Sequence, residues 1–324
     1  MNNHLNLKAI RRTGFTLVEL LVVIGILLIL VGLVSSGVMK YIETQHYSNT
    51  LDRVDTLHNI LQGEWERVVV EAKKEEPSPA VLFLAENDRP RAKVIWVKLR
   101  LMEAFLQDLN ELNVASVENY VLYKPSTLYN GSPPLIPKNR RKYVPGYLNM
   151  LSTLGWNSSA TDTANPGTQS AACLMLALSK GEATSHIELD QYQRDTDGDN
   201  VPELVDDWGT PLAFFRFPLG STFPTRKSSR VRVTRKTQTE DLLDPDQVLQ
   251  RLNTWTNFRY TFERLVYEPS LPATPPSGYT WRDSYYSIPV IVSAGEDLTL
   301  GLGAFTMTED NPAVAQDNIY SFRE

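Results

Sequence analysis

The chain has 324 residues, enough for one large domain or two small ones, and carries a net charge of −6. An acidic chain argues against nucleic acid as a partner. Its one cysteine, Cys173, excludes an internal disulfide and sits in the apolar run AACLMLAL, where it reads as a small buried side chain.

In chain order, the first element is the most informative. Lys8, Arg11 and Arg12 precede a Gly14-Phe15 junction, and an apolar run follows that is interrupted only by Glu19. From residue 20 to 39 no side chain is charged, and those residues make about 30 Å of helix, enough to span a bilayer. The basic residues place the first segment in the cytoplasm and the bulk of the chain outside it. A secretory signal peptide is cut after its apolar region, near Ser35-Ser36-Gly37 here, but that leaves Glu19 unexplained. A plain single-pass anchor is the other simple reading. An ionisable group inside a membrane segment calls for a positive partner at the same depth. A free amine at Phe15, most usefully on a neighbouring subunit, would supply it.

The run GFTLVELLV (14–22) resembles the leader junction of type IV pilins and type II secretion pseudopilins. That resemblance implies a membrane prepilin peptidase that cuts after Gly14 and methylates the new amine of Phe15. It also implies subunits that pack their N-terminal helices into a filament core, with Glu19 as the intersubunit carboxylate. Many pilins have a proline near the middle of this helix; here glycines stand at 25, 32 and 37 instead.

The expected parts are a leader (1–14), a transmembrane helix (15–39), an amphipathic extension (40–76) and an α+β domain (77–324). Leu51, Val54, Leu57, Leu61, Trp65 and Val68 recur at three- and four-residue steps, so one helix is expected from about 15 to about 74. Pro77 and Pro79 end it. A second helix is expected over 94–111, loops over 130–145 and 156–169, and a short apolar helix over 170–180. Residues 80–190 resemble an insertion relative to small pseudopilins.

The next informative stretch is DTDGDNVPELVD (195–206). On a twelve-residue calcium loop Asp195, Asp197, Asp199, Glu203 and Asp206 take positions 1, 3, 5, 9 and 12, with the Val201 carbonyl at 7. The sharp-turn position is Asn200, which tolerates the left-handed conformation. An acidic solvated turn is the simpler alternative. Asp207-Trp208-Gly209-Thr210-Pro211 follows and resembles the Asp-Pro-Trp-Gly-x-Pro-Tyr segment of major pseudopilins, with Asp207 for the first proline and Leu212 for the tyrosine. Taken on its own residues, Trp208 anchors a turn and 212–217 is a strand. Residues 229–234 read as an exposed strand, 244–255 as a helix, and 287–294 as a buried strand. The segments VSAGED (292–297) and DNIY (317–320) resemble the C-terminal loop of major pseudopilins, where bound calcium fixes the last strands. That resemblance makes Asp297 and Asp317 candidate ligands.

None of the four histidines forms His-Glu-x-x-His, there is no Gly-x-Ser-x-Gly, and Gly301-Leu-Gly303 is half of a dinucleotide fingerprint. An enzyme is therefore not expected. The expected architecture is α+β and pilin-like, with the long N-terminal helix packed on an antiparallel sheet. The expected function is a subunit of a type II secretion pseudopilus or type IV pilus-like filament, resident in the inner membrane with its domain in the periplasm. Its expected partners are the prepilin peptidase, other subunits, the assembly platform and membrane lipid, and calcium is the expected cofactor. The alternatives are an adhesive or motility pilin and a membrane-tethered calcium-binding domain that does not assemble.

Overall fold

The computed structural model describes residues 16–112, 141–161, 166–180, 189–218, 223–225, 229–231, 241–249, 259–267, 275–279, 288–303, 311 and 313–321. The chain divides into two compact units, Met1–His46 and Tyr47–Glu324. Helix α1 (Leu17–Lys74) contributes to both.

In the first unit, α1 exposes its large apolar side chains from Leu17 to Ile42. Leu28, for example, is 68% exposed. Among the described residues no helix is long and apolar enough to cross a membrane.

In the second unit the remainder of α1 buries Leu51, Val54, Leu57, Leu61, Trp65 and Val68, all six positions that the spacing singles out. Each such side chain contributes about 1.5–3 kcal/mol of transfer free energy. The helix stops at Lys74, before Pro77 comes into play. Helix α2 (Pro79–Leu84) starts from Ser78, whose hydroxyl accepts from the Val81 amide, and α3 (Arg89–Ala104) from Asp88, whose carboxylate accepts from the Arg91 amide. The expected helix over 94–111 therefore begins earlier and ends at Ala104, and only a single 3-10 turn follows at Leu109–Leu112.

Helix α3 is the centre of the core and is buried on its charged side as well as its apolar side. Arg91 donates to the carbonyls of Ala85 and Val248, Lys98 pairs with Asp241, and Arg100 pairs with Glu75 and Glu103. Glu103 also accepts from the Lys142 and Tyr143 amides at the start of α4 (Val144–Leu154). Arg216 forms a two-pronged pair with Glu111 and donates to the Met102 and Phe105 carbonyls at the end of α3. Buried charges persist only when paired and hydrogen-bonded in this way.

Helix α5 (Pro166–Ser179) is buried from Ala171 to Leu178 and lies against β2 (Glu203–Leu204) and β3 (Ala213–Phe215). Strand β1 (Gln193–Arg194) pairs antiparallel with β2, and β4 (Phe223–Thr225) with β5 (Ser229–Val231). The main sheet has the order β3-β6-β7, with β6 (Val290–Ser293) central, β7 (Ile319–Tyr320) beside it, and both pairs antiparallel. Side chains alternate across it. Phe214 and Ile291 join the large core, while Phe215, Val290, Val292 and Tyr320 join a second cluster with Leu302 and Ala315. Helix α6 (Arg259–Val266) and a 3-10 turn at Leu189–Tyr192 complete the described elements.

The architecture is thus α+β, with a long N-terminal helix and small antiparallel sheets. Three expectations change. The sheet's main helical partner is α5; α1 reaches the sheet region through Trp65, whose ring lies 5.9 Å from that of Phe217. Residues 241–249 form turns, not the start of a helix, because Asp244 precedes Pro245 and its carboxylate takes the Val248 and Leu249 amides for itself. Helices α4 and α5 begin inside the expected loops, each with a proline in its first turn where a missing N–H costs nothing. The remainder of that helical expectation (250–255) and the leader (1–14) lie outside the described residues.

Candidate functional site

Gly14 and Phe15 lie outside the described residues. Glu19 lies within them, at the third position of α1, and it closes a reciprocal cap. The Glu19 carboxylate accepts from the Thr16 amide at 2.9 Å and from the Thr16 hydroxyl at 2.8 Å. The Thr16 hydroxyl oxygen accepts from the Glu19 amide at 3.2 Å. Two helix-start amides that α1 cannot satisfy internally are served by one Thr-x-x-Glu box. The reading of Glu19 as a membrane charge misses this role, although the four-residue signature is present in the sequence.

The second group is the loop between β1 and β2. Among the described residues, Asp195, Asp197, Asp199 and Glu203 are the one set of three or more metal-capable side chains that converge, with ligand atoms all within 4.8 Å of one another. The ladder sets this up: Arg194 pairs with Glu203, so the strand ends hold the first and ninth loop positions side by side. Gly198 at φ 82° and Asn200 at φ 69° both take the left-handed conformation, Asn200 as expected for the sharp turn. The Asp195 carboxylate accepts from the Gly198 and Asn200 amides, and that of Asp197 from the Asp199 amide. Glu203 accepts from the amide and hydroxyl of Thr196.

Asp199 and Glu203 are the buried members. The Asp199 carboxylate accepts from the Val201 amide, the Trp156 indole and the Thr161 hydroxyl, which ties the loop to the turn after α4. Burial raises the Asp199 carboxyl, against the bonds that lower it. Glu203 is pushed up to about 7, by burial first and then by Asp197 and Asp199, against the bonds from Thr196. Crowded oxygen ligands that resist sharing negative charge suit a hard divalent cation such as calcium.

The structure places Asp206 elsewhere. Its carboxylate accepts from the Trp208 and Thr210 amides and from the Ser293 hydroxyl of β6, and burial raises it. Asp206 therefore holds the turn that leads to β3. Gly209 sits at φ 88°, and a Cβ there would meet the Arg194 guanidinium at 2.8 Å. Next to this turn, Arg53 of α1 donates to the Val205 carbonyl and pairs with Asp207, while the Thr50 hydroxyl accepts from the Asp207 amide. Sequence spacing gives no sign of this clasp, because its halves are more than 150 residues apart.

At the C-terminal loop, Asp297 and Asp317 are neighbours through backbone. The Asp297 amide donates to the Asp317 carboxylate at 2.9 Å. Gly295, at φ 75°, is what allows this approach: a Cβ there would lie 2.4 Å from the Asp317 carbonyl oxygen. No third metal-capable side chain joins the pair among the described residues.

Residues 10–35 match the model of the prokaryotic N-terminal methylation motif, which takes in Gly14, Phe15 and Glu19. No curated protein and no solved structure matches the chain. The match supports a type IV pilin-like protein processed by a prepilin peptidase, and such proteins are structural subunits rather than enzymes.

Proposed function

We propose that this chain is a subunit of a type II secretion pseudopilus or a type IV pilus-like filament. It is held in the inner membrane by residues 15–39, with its folded unit in the periplasm. A prepilin peptidase cuts after Gly14 and methylates Phe15. The observation that carries this reading is the coincidence of the methylation motif with the exposed apolar beginning of a helix that runs on to Lys74. An apolar helical surface left exposed among the described residues needs lipid before assembly and other subunits after it.

Glu19 links the two states. It caps its own helix through Thr16, and its charge draws the Phe15 amine of an adjacent subunit, so joining the filament satisfies a charge that lipid does not. The membrane assembly platform supplies the neighbours. Calcium on the 195–203 loop stiffens the hairpin that Arg53 and Thr50 hold against α1. The convergence of four carboxylates also favours a second reading, a tethered calcium-binding domain that never assembles.

The two readings part on one experiment. Cells carrying the matching secretion or pilus machinery are sheared, and filaments are collected with the wild-type chain and with Glu19→Ala. The assembly reading expects wild-type filaments, and a Glu19→Ala chain that is inserted and cleaved but left in the membrane. Equal filament yield from the variant, or none from the wild type, contradicts it.

A further inference from the structure

The Lys98 ammonium and the Asp241 carboxylate touch at 2.5 Å, and their side chains are 0% and 3% exposed. They come from α3 and from the turn at 241–244, which are 143 residues apart in sequence. The rings of Phe217 and Tyr267 lie 5.6 and 5.7 Å from the Lys98 nitrogen. A second carboxylate, Asp244, stands in the same turn, where its amide donates to the Asp241 carbonyl at 2.9 Å, and its charge acts on Lys98. It is held in place by the Val248 and Leu249 amides. An amine and two carboxyl groups thus share one buried, aromatic-lined pocket. A salt bridge alone gains little from such a pocket, because the loss of water costs both ions.

We propose that Lys98 and Asp241 form an intramolecular amide bond. Transfer of one proton from the ammonium to the carboxylate leaves a neutral amine and a carboxylic acid. The amine lone pair attacks Asp241 Cγ and the C–N bond forms. Asp244 takes a second proton from that nitrogen and delivers it to the carboxyl hydroxyl. The C–O bond breaks and one water leaves. Nothing is oxidised or reduced, and no co-reactant is required.

Burial lowers the Lys98 ammonium, which favours the neutral amine, and raises the Asp244 carboxyl, which makes it a better proton acceptor. The same burial keeps the product from hydrolysis. The link would close a long loop in a chain whose single cysteine leaves no disulfide to do so.

The test is peptide mass spectrometry on the full-length protein purified in detergent and digested after denaturation. The expected result is a branched peptide joining the Lys98 and Asp241 segments, lighter than their sum by one water. Lys98→Met abolishes it, and Asp244→Asn leaves the two segments separate in a folded protein. Separate, unmodified segments from the wild-type chain would overturn the proposal and leave an ordinary buried ion pair. A branched peptide that persists in Asp244→Asn would overturn the role given to Asp244.

Discussion

The Glu19 carboxylate and the Thr16 hydroxyl each accept a hydrogen bond from the other's residue, so the first turn of α1 is closed by the same carboxylate that the methylation motif contains. This separates two things that Glu19 does. Glutamine can close the same box without charge. Glu19→Gln should therefore keep the wild-type helix start while losing the attraction to a neighbouring amine, and Glu19→Ala should lose both. Sheared-filament yield should fall in both variants, whereas amide exchange at the start of α1 should speed up only in Glu19→Ala. A Glu19→Gln variant that assembles normally would assign the whole effect to capping.

Calcium binding predicts a stability change. The melting temperature of the full-length protein in detergent should rise when calcium replaces a chelator. Asp197→Asn should abolish the rise with little effect on the chelated protein. Asp199→Ala should destabilise the chelated protein as well, by about 1–3 kcal/mol, because it leaves the buried Val201 amide and the half-buried Thr161 hydroxyl without their acceptor, while the Trp156 indole keeps only the Thr161 oxygen. A melt indifferent to calcium would reduce the acidic loop to a structural turn.

The Arg216–Glu111 pair sets the cost of disturbing the core around α3. Arg216→Met should destabilise by about 3–5 kcal/mol in denaturant titration, since it leaves Glu111 buried without its partner. Adding Glu111→Leu should recover a large part of that loss. A double variant no better than the single one would show that the carbonyl bonds of Arg216, and not the ion pair, hold the end of α3.

Lys180 gives a pH signature. Its ammonium lies over the Tyr147 ring and donates to the Tyr143 carbonyl, and burial pulls it down to about 7 against the pull of Glu103. Below about 7 both the folded and unfolded chains hold the proton, and the folded state carries the full cost of the buried charge. Between about 7 and the ordinary lysine value of 10.5 only the unfolded chain holds it, so this group makes stability rise with pH across that window. Lys180→Met should be more stable than wild type at pH 6, with the difference shrinking by pH 9. A difference that stays constant with pH would contradict the assignment.

What the sequence makes legible follows from distance along the chain. The buried face of α1 shows in its three- and four-residue spacing, and the acidic loop shows because its carboxylates alternate within nine residues. The Thr-x-x-Glu box is equally local; reading Glu19 only as a charge in a membrane hides it. The polar face of α3 looks solvent-facing in sequence, and only the fold brings Asp241, Glu75 and the Lys142-Tyr143 amides to cover it. Asp206 fits the twelfth position of a calcium loop by count, but Ser293, 87 residues away, claims it. The helical partner of the sheet is unreadable for the same reason, since α5 is apolar on every side and its composition marks no preferred face.

The central claim is processing at the Gly14-Phe15 junction, and the most direct test is the intact mass and N-terminal sequence of the protein recovered from cell membranes. The account predicts a chain that begins at N-methylated Phe15. A chain that still begins at Met1 would contradict it.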